Sequence, residues 1–214
     1  MNEFRKLSLA GKMEEGIYVS NFKLQPGDIL VTVNNRKDLF SRIKRWATGP
    51  YEHVYLSMGQ VGLLVNRRQR RILRFSMLFE SYGRGCALRS LSERYGENVV
   101  VMRLKSEFDR RRIPRVLEEA IKLASDESAR YDYWCIVSFI LPRLICEKLG
   151  LPVPLSWQRN PWHVCSEALF EVFYRANLVD ILPPGIVPLP GDFVADSSLL
   201  TEAHRGELSS EWVE

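Results

Sequence analysis

One cysteine and one of three histidines are spaced so that a thiol nucleophile could be assembled. Cys165 stands at the start of the expected helix within the stretch from Pro161 to Asn177, in which Ala168, Leu169, Val172, Phe173 and Ala176 recur at intervals of three and four. That spacing marks a helix with one buried stripe, with Pro161 as breaker before it and Asn177 as stop after it. A thiol at a helix start faces unpaired amide N–H groups and the positive end of the dipole, both of which favour thiolate. The same residues also fit a small buried side chain that happens to begin a helix. A nucleophile further needs a base, and the base needs a third group to fix its tautomer. His204 lies in a polar C-terminal stretch, and His163 is only two residues from Cys165, where chain geometry makes an in-line pairing awkward. His53, near the beginning of a strand, is the best-placed base, and Glu80, at the end of a neighbouring strand, could hold its far ring nitrogen. Spacing alone leaves open that the three are unrelated core or surface residues.

The elements that must position them follow from pattern. Gln25-Pro26-Gly27-Asp28 is a turn, and Ile29 to Val33 reads as a buried strand. Phe40 to Ala47 has helical spacing and is closed by Thr48-Gly49-Pro50; Tyr51 to Gly59 alternates loosely and ends on glycine. Val61 to Val65 and Ile72 to Phe79 read as further strands on either side of Asn66 to Arg71, and Val99 to Leu104 as another. A helix starts at Pro114 and runs to about Ala124, with Val116, Leu117, Ala120 and Ile121 on its apolar side. The apolar segment from Tyr133 to near Gly150 is helix-like and reads as core, with Cys135 and Cys146 on nearly one face as packing residues. The proline-rich Ile181 to Gly191 should run extended over the surface beside the site. Asp196 to Glu214 is acidic and polar, which suggests disorder or partner docking.

Composition bounds the alternatives. The 214 residues with 46% hydrophobic content fit one globular domain. Its expected organisation is an extension at 1–24, a catalytic domain at 25–194 and an acidic tail at 195–214. A formal charge of +4 is too slight to indicate nucleic acid or a membrane. The arginines from Arg67 to Arg74 could hold phosphate, but no aromatic platform accompanies them, and a solvated hairpin tip accounts for them. Cysteines at 86, 135, 146 and 165 show neither a disulfide framework nor zinc-ligand spacing, so no metal or cofactor is expected. With no signal-peptide core and no span of roughly 20 apolar residues, the default compartment is the cytoplasm, and association with an envelope or phage particle stays open.

Taken in order, Pro26-Gly27-Asp28-Ile29-Leu30, Thr48-Gly49-Pro50-Tyr51-Glu52-His53-Val54, Phe79-Glu80, Tyr131-Asp132 and Cys165-Ser166-Glu167 resemble the circularly permuted branch of the NlpC-type papain-fold superfamily, the YiiX/YaeF-like proteins. The likeness covers about Gln25 to Asn177, and each motif is short, so the shared order carries it. It implies an α+β, papain-like fold in which an antiparallel sheet or small barrel packs against the cysteine helix. It also implies Cys165 as nucleophile, His53 as general base and acid, and Glu80 as orienting group, with the Cys165 N–H helping the oxyanion. The activity implied is a cysteine hydrolase or acyltransferase acting on a cell-wall peptide or a lipid acyl group. The alternative is a silent papain-like module in a larger assembly. The chain departs from the pattern at Glu52, where Ser or Thr is usual, at Tyr55, where glycine is common, and at Val164, where an aromatic often precedes the cysteine. Glu52 should point away from the His53 face, whereas Tyr55 should share it and narrow the cleft.

Overall fold

Ile29, Leu30 and Val31 are three consecutive apolar residues without alternation, and each is fully buried, which requires cover on both faces of their strand. The computed structural model of the chain, which describes residues 22–34, 49–66, 71–83, 85–135, 138, 140–152, 163–183, 185 and 187–213, supplies that cover. The strand is β1 (Ile29–Val33), paired antiparallel with β2 (Tyr51–Asn66) on one side and β5 (Asn98–Leu104) on the other. With β3 (Arg71–Tyr82), β4 (Gly85–Ser90) and β6 (Leu200–Glu207) they form an open six-stranded sheet in the order β4-β3-β2-β1-β5-β6, every pair antiparallel. Of the expected sheet or small barrel, the described residues form the open sheet.

Ile29 and Val31 project into the larger core, against helix α1 (Ile113–Ala124) and helix α3 (Cys165–Arg175). Leu30 projects the other way, into a smaller cluster with Tyr55, Leu78, Leu91, Val99, Val101, Leu208 and Trp212. In α1 the buried stripe runs through Val116, Ala120 and Leu123; of the expected apolar side, Val116 and Ala120 are buried and Leu117 half-buried, whereas Ile121 faces outward and Leu123 takes its place. In α3 the burial extends well beyond one stripe, from Cys165 through Phe173. Asn177 takes a φ of 62°, the left-handed turn expected of a helix stop.

Several expectations are corrected. Tyr51–Gly59 and Val61–Val65 are one strand, β2, because Gly59 takes a positive φ at a register shift and the strand continues past it. The stretch from 196 onward, read as a disordered or docking tail, contains β6, which completes the sheet edge on β5. Its Trp212 is buried and its His204 stacks on Phe22 at 4.5 Å between centroids. The described residues of the apolar segment are helical, as expected: a turn at Tyr133–Cys135, helical residues at 138 and 140, and α2 (Leu141–Leu149), closed by Gly150. Cys135 is buried and Cys146 only half-buried. The reading as core fails for α2, whose Leu141, Ile145 and Leu149 face outward. The proline-rich stretch is not a surface strap either, since Ile181, Leu182 and Val187 are buried. The expected helix over Phe40–Ala47, the tip of the basic hairpin at 67–70, most of the N-terminal extension and the residues Pro161 and Trp162 lie outside the described residues.

Gly85 closes the turn from β3 into β4 with a φ of +115°, and a Cβ there would lie 2.3 Å from the carbonyl oxygen of Ala129. That carbonyl also accepts the Cys86 N–H at 3.3 Å, so it is not free to retreat. Gly85→Ala is therefore expected to destabilise the fold by roughly 2–4 kcal/mol through backbone strain and overpacking together. Urea denaturation of the variant checks this, through a lower midpoint at unchanged slope.

Candidate active site

Strand parity decides which side chains of β2 and β3 meet. Leu56 and Phe79 are paired across the two strands and both enter the larger core. Their neighbours His53, Tyr55 and Glu80 leave the other face. His53 Nε2 lies 3.0 Å from Glu80 Oε2, and the Glu80 side chain is wholly withdrawn from water. The third residue arrives from α3. Its first residue, Cys165, is hydrogen-bonded through the thiol to His53, whose remaining ring nitrogen is Nδ1. The three residues singled out in the sequence are thus one connected group.

The start of α3 explains why the thiol is held there. Glu167 reaches back to accept the Val164 N–H at 2.9 Å, half of a capping box, and Val164 has no side-chain acceptor to supply the other half. Ser166 donates its hydroxyl to the carbonyl of Pro188 at 2.6 Å, tying the first turn to the proline-rich stretch. Cys165 is only 7% exposed, and burial alone would keep it protonated. The His53 imidazolium and N–H donors from Val54 and Ser166 outweigh burial and bring its pKa below the ordinary value. For His53, burial likewise disfavours the charged form. The Cys165 thiolate and Glu80 overcome it and raise the histidine to about 9. Each charge favours the other, so this arrangement favours thiolate and imidazolium together.

A cleft of about 750 Å³ opens above the pair. Its lining includes the aromatic and aliphatic side chains of Tyr82, Tyr131, Ile140, Val164, Leu189 and Pro190 together with the polar Asn34, Glu52, Arg94 and Glu97. Tyr55 does share the His53 face, with their rings 4.7 Å apart, and lines the cleft as expected. Glu52 does not point away. Thr32 pairs with His53 but Val33 pairs with Tyr51, so Glu52 is the extra residue of a β-bulge. The bulge turns it into the cleft, where the Asn34 amide donates to its Oε1.

Two arginines escaped notice in the sequence. Arg94 Nη2 lies 2.8 Å from both oxygens of Glu80, and Arg89 Nε lies 2.8 Å from Oε1 as an ion pair without hydrogen-bond alignment. They come from β4 and the turn Leu91–Arg94 that follows it, a stretch with no strong local pattern. Cys86, Ala87, Leu88 and Arg89 show no apolar–polar alternation that could have marked the strand and its Arg89. The remaining histidines take no part. His163 is buried, its backbone N–H donates to Arg130 and its carbonyl accepts from Ser81. His204 sits on β6.

Asp132, Cys135 and Glu167 are a buried trio whose ligand atoms lie within 4.8 Å of one another. Each has a structural task. Asp132 accepts the Cys135 N–H at 2.8 Å, the Cys135 thiol donates to Glu167 Oε1 at 3.1 Å, and Glu167 Oε2 caps α3. Burial and the Glu167 charge push the Cys135 thiol far up, away from the thiolate a metal would need.

No protein-family model matches this chain. No curated protein matches it either. Among solved structures it is similar to the metalloprotein YiiX of Escherichia coli O157:H7, a DUF1105 protein. The match has a TM-score of 0.56 at 15% identity and covers 87% of this chain and 100% of that one. The likeness is one of fold: the mixed α+β arrangement with its open antiparallel sheet is YiiX-like.

Proposed function

We propose that the chain is a cysteine hydrolase or acyltransferase of the permuted papain-like kind, acting on an amide or ester bond. The observation that carries this reading is the connected group Cys165, His53 and Glu80 at the base of a cleft, with the thiol at a helix N-terminus. The Cys165 sulfur attacks the carbonyl carbon, and the carbonyl π electrons move onto its oxygen. The Cys165 N–H, in the first turn of α3, faces that oxyanion. His53 gives its proton to the departing amine or alcohol as the tetrahedral centre collapses to a thioester. Water, or an acceptor hydroxyl or amine, then loses a proton to His53 and attacks the thioester; the tetrahedral centre collapses with the C–S bond broken, releasing the acyl product and restoring the Cys165 thiolate beside the His53 imidazolium. Glu80 holds the imidazole throughout.

The aromatic and aliphatic residues in the lining, among them Tyr82, Tyr131 and Leu189, favour an acyl chain or a flat apolar group as the part bound. A silent binding module loses one of its supports, because the stretch read as a docking arm is spent on β5 and on Phe22. No helix among the described residues is long and apolar enough to cross a membrane. No metal role is proposed, since the buried trio is committed to capping and packing.

The test is capture of the acyl-enzyme. Wild-type protein mixed with activated esters of short and long acyl chains should gain the acyl mass on the peptide that contains Cys165, with a burst of the leaving group. Cys165→Ala should show neither. Absence of an adduct with every chain length, from a folded protein, would rule the enzyme out.

A further inference from the structure

Glu80 is where three cationic side chains converge on one buried carboxylate. His53 uses Oε2, Arg94 uses both oxygens, and Arg89 faces Oε1. Arg94 is itself fixed, with Nη1 3.4 Å from Glu97 Oε1 and its guanidinium 5.1 Å above the ring of Tyr55. A carboxylate serving His53 alone would hold the imidazolium with its full charge; one shared with a bidentate guanidinium holds it less tightly. We propose that Arg94 is a positioning residue that divides the charge of Glu80 with His53, and so sets the pH window in which Cys165 and His53 form an ion pair. The inference rests on the nucleophile reading above.

Every route gives the same sign. The groups facing His53 are Cys165 from α3, Glu80 and Tyr82 from β3, Glu52 and Tyr55 from its own strand, Arg89 from β4, Arg94 and Glu97 from the connection between β4 and β5, and Tyr131 across the cleft. Removing the Arg94 charge frees Glu80 for His53, leaves Glu97 uncompensated, and withdraws a positive charge at most about 6 Å from the ring. The imidazolium becomes harder to deprotonate, and the thiol, in a less positive field, becomes harder to ionise. Both limits of the window move up. A unit charge at about 6 Å and an effective permittivity near 20 corresponds to about two pH units, which partial access to water reduces to about one.

The experiment is the rate of Cys165 alkylation by iodoacetate from about pH 4 to about pH 11, read on the Cys165 peptide by mass. The anionic reagent responds to both limits, gaining as the thiolate forms and slowing as the imidazolium that attracts it is lost. The variants are Arg94→Gln, Arg94→Met and the charge-retaining Arg94→Lys. Both neutral variants should shift the two limbs upward by about one unit, and Arg94→Lys should keep them within about 0.3 unit. A low-pH ion pair in wild type whose limbs the neutral variants leave in place would overturn the role of Arg94 alone. A lower maximum rate with unmoved limbs, or a chain that circular dichroism shows to fold only with Arg or Lys there, would make Arg94 structural and overturn it as well. An ordinary thiol titration in wild type overturns instead the nucleophile reading, and this inference with it.

Discussion

His53→Ala is expected to slow alkylation of Cys165 by neutral iodoacetamide at pH 7 by about 100-fold, because the thiol then titrates above its free value of about 8.5. The direction follows from what opposes burial at this sulfur. Desolvation raises the thiol pKa, and the first forces against it are the charge and hydrogen bond of His53. With the imidazole gone, the N–H donors of Val54 and Ser166 remain but the full positive charge does not. The wild-type rate should reach its plateau at a lower pH than the variant rate, which should still be climbing above pH 9. A complementary sign holds for His53. Its pKa is raised in the fold to about 9, so the stability it contributes is complete below its ordinary value and declines as pH rises from there through 9. Stopped-flow alkylation against pH in both proteins is the measurement, and equal rates at pH 7 would show that the pair is not ionised.

The positions of Cys165, His53 and Glu80 could be read in the sequence because each stands at a boundary that local chemistry marks. Cys165 follows a helix breaker, His53 follows Thr48-Gly49-Pro50, and Glu80 precedes a glycine turn. That they touch could not be read from spacing, since contact depends on the β2–β3 register and on how α3 seats against β2 and β3. The β2–β3 register passes a bulge at Gly59, where two expected strands join into one, and a second bulge at Glu52, in the β1–β2 pairing, reverses the expected direction of that residue. β6 was missed for a different reason. Thr201, Glu202 and Arg205 are typical solvent-facing residues, and an edge strand is held by its backbone bonds to one neighbour, which side-chain composition does not report. Arg89 and Arg94 look like ordinary surface charges until the fold brings Glu80 beneath them. A long-range pairing of this kind leaves no periodic trace.

The wall of the cleft formed by Leu189 and Pro190 depends on a charge that sequence reading assigned to an apolar segment. Arg143, on α2, is buried and forms a fork with Asp192, with Nη1 2.7 Å from Oδ2 and Nη2 3.0 Å from Oδ1. Its Nη1 also reaches the Val187 carbonyl at 2.5 Å, and its Nε contacts Glu147 at 2.6 Å. Asp192 Oδ2 accepts the Leu189 N–H at 2.7 Å, so one guanidinium fixes the stretch from Val187 to Asp192 at both ends. Arg143→Ala would leave the Asp192 carboxylate and the Val187 carbonyl buried without it. The expected loss is about 3–5 kcal/mol, against about 0–1 kcal/mol for an exposed ion pair. In a chain of this size that corresponds to a fall in Tm of roughly 10 °C. Arg143→Ala with Asp192→Ala removes both charges and should recover part of the loss, whereas two independent contacts would give additive losses. If the fork also holds the cleft wall, Arg143→Ala at a temperature where it remains folded should raise KM for long acyl esters more than for short ones. The Cys165 alkylation profile should stay where it is in wild type, because no contact of Arg143 reaches His53 or Glu80. A profile that moved with the loop would mean that the proline-rich wall and the ion pair are coupled, and that Ser166, through its bond to Pro188, transmits the change to the thiol.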